Sequence, residues 1–340
     1  MMFVMRRQPP FFRVMGILAR LLPASRRRFS AQPGRALRAL LVAAGQIVGT
    51  LFLSSFAQAQ DMEPRSYSNA PIGLNFLIAG YGYTRGGLAF DSSLAVTDPQ
   101  LTTSSAILAY GRVLDFFGQS AKLNIIVPYT ELSGNANFAG EVLRRDVSGF
   151  ADPVLKLSVN VFGAPALSLR EFAAYEQDLI VGASLRVSPP LGQYDNSKAV
   201  NLGSNRWSFK PELGLSKALG RWTLEGTAAA TLFTDNKDFF NGNKRSQEAL
   251  YSLEGHLIHS FSGGIWASLD ATYFAGGRTT LDGTLGSDLQ QNWRFGATLA
   301  FPVTIHHSIK LYGSSGVSAR TGNNFDLLGL AWQYRWGAGL

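Results

Sequence analysis

From residue 72 onward the chain divides, at a period of two, into about twelve segments in which apolar and polar residues alternate. They fall near 72–84, 104–115, 120–132, 148–162, 177–189, 205–218, 221–233, 247–260, 264–275, 290–301, 307–317 and 324–336. Each runs roughly nine to fifteen residues, against ~5–6 for a soluble strand and about 9–11 for a tilted strand that crosses a bilayer. This length restricts the fold to long antiparallel strands, and it favours a wall that spans a membrane.

The faces are sharply sorted. In "VLKLSVNVF", Leu155, Leu157, Val159 and Val161 share one side, and Lys156, Ser158 and Asn160 the other. In "RWSFKPELGLSK", Trp207, Phe209, Leu213 and Leu215 oppose Ser208, Lys210, Glu212 and Ser216. A sandwich would turn the apolar side inward and a transmembrane barrel would turn it outward, so period alone leaves both open. The connections separate them: odd-numbered ones are mostly long and rich in Gly, Asn, Asp and Ser, and even-numbered ones are short except 163–176. Long outer loops and tight periplasmic turns are the habit of outer-membrane barrels. The exception carries Ser168 with Glu171 three residues on, a capping box that predicts one short periplasmic helix. Pro165, Pro189, Pro190 and Pro302 lie at segment ends, whereas Pro128 and Pro211 lie inside segments, where a missing N–H predicts a bulge or a shifted boundary.

Charge becomes informative only after the chain is divided. The formal net charge is +8, but residues 1–59 hold nine arginines and no acid. They continue into the apolar stretch "ALLVAAGQIVGTLFLSSF" and an A-x-A site at Ala57 and Ala59, the order of a cleaved signal peptide. Met15 offers a later start within this leader. Residues 60–340 then hold 22 basic and 23 acidic groups, which removes the case for a nucleic-acid partner. Cysteine is absent, so stability must come from packing and backbone pairing. The expected divisions are a signal peptide at 1–59, a periplasmic N-terminal segment at 60–71, a barrel at 72–336 and a short extension at 337–340.

Several stretches carry a family resemblance: "KLNIIVPYTELSGNA", "GFADPVLKLSVNVFGAPALSLREF", "SLRVSPPLGQYD", "NLGSNRWSFKPELGLSK" and "FDLLGLAWQYRW". Across roughly 72 to 336 the chain resembles the bacterial outer-membrane β-barrel transporters named for a meta-pathway of phenol degradation. The resemblance implies an outer-membrane barrel that handles aromatic or other small hydrophobic compounds, and it brings no binding residues with it. The end of the chain also resembles the C-terminal signal read by the barrel-assembly machinery, which usually stops at its last aromatic; here "GAGL" follows Trp336.

The expected fold is therefore an all-β antiparallel transmembrane barrel of about 12 strands in the bacterial outer membrane. Its polar faces would line the lumen with Arg112, Lys122, Lys156, Arg186, Lys210, Arg294, Lys310 and Arg335 against Glu212, Glu225, Glu254 and Asp270. Such a lumen is mildly cationic, with charges that select a solute's sign or pair across the interior of a small barrel. Tyr81 and Tyr83 are expected at a membrane rim, Trp332, Tyr334 and Trp336 at the periplasmic girdle. Phe138, Phe239 and Phe240 could capture a hydrophobic solute in the outer loops.

No cofactor, metal loop or catalytic motif stands out. "GYGYTRGG" opens no helix and is no phosphate loop, and Ser252 lies too far along a strand from His256 for a Ser–His pair. The expected partners are outer-membrane lipid, the assembly machinery and a small-molecule solute, and the expected function is a channel or transporter for passive uptake. The alternatives are an outer-membrane enzyme acting on lipid and a structural barrel with a closed lumen.

Overall fold

A computed structural model describes residues 62–87, 96–138, 141–320 and 324–340. The leader and the Phe138 side chain lie outside the described residues. The wall strands are β1 (Leu74–Gly87), β2 (Val96–Phe116), β3 (Gln119–Phe138), β4 (Glu141–Phe150), β5 (Val154–Phe162), β6 (Leu179–Ser188), β7 (Ser208–Leu219) and β8 (Trp222–Phe233). Two short outer strands follow, β9 (Asn236–Phe239) and β10 (Asn243–Gln247), then wall strands β11 (Leu250–Ser260) and β12 (Trp266–Gly276). Outer strands β13 (Thr279–Leu281) and β14 (Thr284–Leu285) precede the last three wall strands, β15 (Gln290–Pro302), β16 (His307–Ala319) and β17 (Asn324–Gly337). The one α-helix among the described residues, α1, spans Leu169–Phe172.

Each wall strand pairs antiparallel with its sequence neighbour, β17 returns to β1, and the ring closes as a barrel of 12 strands in which β4 and β5 share one place. Closure leaves the wall no free edge, as a β-structure spanning lipid requires. The interior proline explains why one place takes two strands. β3 pairs with β4 from Tyr129 upward and with β5 from Ile126 downward, so Pro128 sits at the changeover, where its missing N–H breaks no ladder bond. Its carbonyl accepts from Ala151 N at 3.1 Å. Pro211 sits in a gap of the β7–β8 register, between Phe209↔Leu232 and Glu212↔Ala229. Neither proline displaces a strand.

The barrel is inside out relative to a soluble domain. Leu213 and Leu328 are 68% and 65% exposed, while Arg294 is 1% and Lys156 4% exposed. On β17 the outward run from Leu328 to Trp336, at ~3.4 Å per residue and ~40° tilt, covers about 21 Å, close to the apolar band of such barrels. Above that band the expected outer loops are partly strand: β3 and β4 continue their hairpin, and β9, β10, β13 and β14 form a small second sheet. Backbone groups above the bilayer are still paired more cheaply with each other than left to water alone.

Two pieces close the periplasmic end. The connection 163–178 carries α1, whose Ser168 accepts from the Glu171 N–H while the Glu171 carboxylate accepts from Ser168 N at 2.9 Å, completing the expected capping box. These hydrogen bonds from the Ser168 side chain and backbone hold the Glu171 carboxyl below its ordinary range. Phe172 is buried against inward residues of β1 and β2, including Leu74, Phe76 and Val113. The connection is laced to its surroundings through Ser120 N to Ala164 O, Ala166 N to Gly118 O and Ile72 N to Leu167 O, all within 3.0 Å. The four residues after Trp336 complete the cap. Gly337, Ala338 and Gly339 have φ of 87°, 55° and 91°, a left-handed run that turns the chain back and packs Leu340 against the same buried cluster that Leu167 and Leu169 cover.

Candidate functional site

The first described residues do not hang below the barrel. The sequence suggests a periplasmic segment at 60–71, whereas residues 62–68 run into the lumen as a strap. The cause is local chemistry: Glu63, Arg65 and Tyr67 each find a partner on the charged wall. The Lys156 ammonium donates to Glu63 Oε2 at 2.6 Å. Arg65 donates through its backbone N–H to Glu225 and through its guanidinium to Ser260 Oγ at 2.7 Å, and the guanidinium lies 4.9 Å over the Trp266 ring. Lys122 donates to Ser66 O at 3.2 Å. Burial is the largest influence on the Glu63 carboxyl and pushes it upward, but the charge and hydrogen bond of Lys156 together with the Arg186 charge bring the carboxyl below its ordinary range.

Glu63 begins a chain of buried charges that crosses half the wall. Lys156 also contacts Glu212 at 2.7 Å; Glu212 contacts Lys210 at 3.0 Å; Lys210 contacts Glu254 at 3.2 Å. Next, Glu254 lies 4.0 Å from His256 Nε2, and His256 Nδ1 meets Asp270 at 2.8 Å. Asp270 also accepts from Ser268 and Thr298 at 3.1 and 3.2 Å. Alternating signs on inward positions of neighbouring strands allow this, because each long side chain reaches a partner without leaving the wall. A buried charge that lost its partner would cost about 3–5 kcal/mol.

Tyr67 is seated differently. Its ring lies across Gly182 of β6 and Gly214 of β7, which are paired in register; a Cβ on either would sit 2.1 or 2.0 Å from a ring carbon. Its hydroxyl is 3.3 Å from Ser184 Oγ, which donates on to Glu212. The two glycines form a slot that fits one flat ring.

The remaining residues expected in the lumen divide by position. Lys122, Lys156, Arg186, Lys210, Glu212, Glu225, Glu254, Asp270, Arg294 and Arg335 are buried on the inward face, and Lys310 is half-buried with its ammonium 5.2 Å over the Tyr312 ring. Arg294 stacks on Phe325 and donates to Phe325 O at 3.1 Å and Ser314 Oγ at 2.8 Å. Arg335 clamps the turn at 303–306 through Ile305 O at 2.6 Å.

Arg112 is a correction. The inward residues of β2 are odd-numbered, ending in Val113 at 0% exposure, so Arg112 faces outward and is exposed near the periplasmic rim. There its stem can lie along lipid while the charge reaches the interface. Tyr81 and Tyr83 face outward in the outer half, with Tyr81 donating to Ser104 Oγ at 3.1 Å. Trp332, Tyr334 and Trp336 stack in file on the periplasmic half of β17, with centroids 6.4 and 5.4 Å apart. Phe239 is buried under Arg245 rather than presented to a solute.

Reading the sequence missed Glu63, Arg65, Tyr67, Gly182, Gly214 and Trp266. A usable signal existed for the glycines, since Gly inside a strand marks close approach of another group. No local signal marks a short segment as the filling of a barrel.

The barrel is similar to that of an outer membrane channel from Pseudomonas putida F1, at 21% identity and a TM-score of 0.69 over 81% of this chain and 100% of the other. The KdgM porin is more distant, at 8% identity and a TM-score of 0.41 over 76% of this chain and 98% of the other. No curated protein sequence matches. The model of the family described as "Putative MetA-pathway of phenol degradation" matches residues 84–334, from the outer half of β1 to the periplasmic girdle of β17, and the chain belongs to that family.

Proposed function

We propose that this chain is an outer-membrane channel for passive movement of small molecules, with its pore filled in this conformation by the strap. The observation that carries the reading is the lumen itself: a closed wall lined with charge, stoppered by a segment held by side chains of the wall. Ion pairs and one seated ring can be exchanged for water or solute, whereas a barrel built only for structure gains nothing from keeping charges inside. The named function of the Pseudomonas putida channel supports the same reading. Residues 1–59 act as the export signal, and cleavage after Ala59 would leave two residues ahead of Met62; the N-terminal mass of the mature protein tests this.

Planar-bilayer recording of the refolded protein tests the channel. Deletion of residues 62–68 should raise conductance severalfold, and absence of conductance in both forms would leave the structural barrel as the reading. That rival has its own support in the filled periplasmic end. An enzyme is disfavoured by the surroundings of His256. Asp270 orients its Nδ1, but Nε2 faces the Glu254 carboxylate at 4.0 Å where a nucleophile's hydroxyl would be needed. Loss of a lipid-hydrolysing activity on His256→Ala would reverse that conclusion.

A further inference from the structure

The register places Lys156, Arg186 and Lys210 at one level on β5, β6 and β7, all pointing inward and all buried. Two wall carboxylates contact this row. Glu212 bridges Lys156 and Lys210, and Glu254 meets Lys210 from the far side. The third carboxylate that balances three cations is Glu63, and it comes from the strap, not the wall. Four residues further along β6 and β7 is the glycine slot, separated from the row by the Ser184 and Glu212 level toward which Lys156 reaches, and the strap fills that as well, with the Tyr67 ring. The Tyr67 hydroxyl points from the slot toward Ser184 and Glu212, hence toward the carboxylate that Lys156 holds. The strap thus presents two groups to the wall: an anion on the Lys156 ammonium and a flat ring in the slot on the far side of Ser184 and Glu212.

From this we infer that the wall of β5–β7 carries a binding site for a small aromatic carboxylate, and that Glu63 and Tyr67 occupy it as a built-in stand-in. Lys156, with Arg186 and Lys210 at its level, takes the carboxylate. Gly182 and Gly214 take the ring. Solute and strap compete for the same surface, so solute entry releases the strap. An ammonium with a carboxylate at 2.6 Å is a charge-assisted contact that a free carboxylate reproduces without loss. Two facing glycines admit any ring of the same thickness. The inference rests on the channel reading only for the consequence of release, not for the binding itself.

Trp266 supplies a readout independent of conductance, because the strap's Arg65 stacks on its ring. The refolded full chain is titrated with benzoate, and tryptophan emission is recorded with red-edge excitation, with Trp266→Phe as the subtraction. Acetate supplies the charge without the ring, and benzyl alcohol the ring without the charge. Benzoate should change Trp266 emission in a saturable manner at concentrations at least tenfold below acetate, and benzyl alcohol should have no saturable effect. Glu63→Gln should lower the half-saturating benzoate concentration at least threefold, and Lys156→Met should abolish the response. Arg186→Gln, a milder change, should weaken it if Lys156→Met fails to refold. Equal potency of acetate and benzoate, or an unchanged response in Lys156→Met or Arg186→Gln, overturns the site. Conductance that never depends on benzoate, together with a flat emission titration, rejects the site and leaves the channel standing. A saturable, Lys156-dependent titration in a protein that never conducts supports the site and rejects the channel.

Discussion

Replacing Gly214 by alanine separates the strap from the barrel. The added Cβ would lie 2.0 Å from Tyr67 Cε2, where real contacts stay above 3.0 Å, so the ring must retreat by about 1 Å or leave. The wall has no such objection: Gly214 lies within β7, away from left-handed φ, and alanine in a strand is preferred over glycine by roughly 0.5–1 kcal/mol. Tyr67 is 2% exposed beside Ala164 and Ile180, so little slack remains. Overpacking of this kind costs about 1–3 kcal/mol. Taking ~2 kcal/mol at ~1.4 kcal/mol per decade shifts the docked-to-released ratio about 30-fold. Trypsin cutting after Arg65 measures release, since that half-buried bond is held against the wall when the strap is docked, and open probability in a bilayer measures the consequence. Both should rise while thermal unfolding of the barrel stays level or moves up. An unchanged tryptic rate would show that the ring does not depend on the slot. A loss of barrel stability without faster cleavage would show that Tyr67 is a fixed core residue, and either result would refute the reasoning.

Acid should also free the strap. The docked Glu63 carboxyl is held below its ordinary value of 4.5, so its contribution is fully present above that value and fades as pH falls through the docked value. Open probability should therefore climb below about pH 4.5 in the native chain, and Glu63→Gln should lose this part of the acid response; a Gln variant with the full acid response would place the titration elsewhere. Phe172→Ala removes the buried ring under the barrel and should cost about 3 kcal/mol, seen as faster hydrogen exchange across 169–175 with wall strands unaffected. Protection equal to the native chain would mean that α1 is held by its hydrogen bonds alone. Tyr312 covers Gly329, its partner on β17, so Tyr312→Ala should lower barrel stability by about 2 kcal/mol in urea unfolding of the micelle-bound protein. An unchanged midpoint would mean that water in the lumen replaces the ring at no cost.

The wall was legible because each of its determinants is local. Residues 205–218 alternate whether or not a partner is present, and the alternation alone assigned Lys210 and Glu212 to one face and Leu213 to the other. The capping box at Ser168 and Glu171 is likewise contained in four residues. Arg112 failed because "AYGRVLDF" alternates weakly, with Gly111 leaving the inward face unmarked until Val113 is seen buried. The strap failed for a different reason: Glu63 and Lys156 are 93 residues apart, and nothing near either names the other.

The sequence by itself determined a long-stranded, cysteine-free barrel with lipid outside and charge within, because a period of two is a property of each strand before it meets another. Only the tertiary structure decided what fills the lumen. Closing twelve strands into a ring brings Lys156, Arg186 and Lys210 to one level, opens a slot between two glycines, and gives a short N-terminal segment the one surface that satisfies its acid, its base and its ring together.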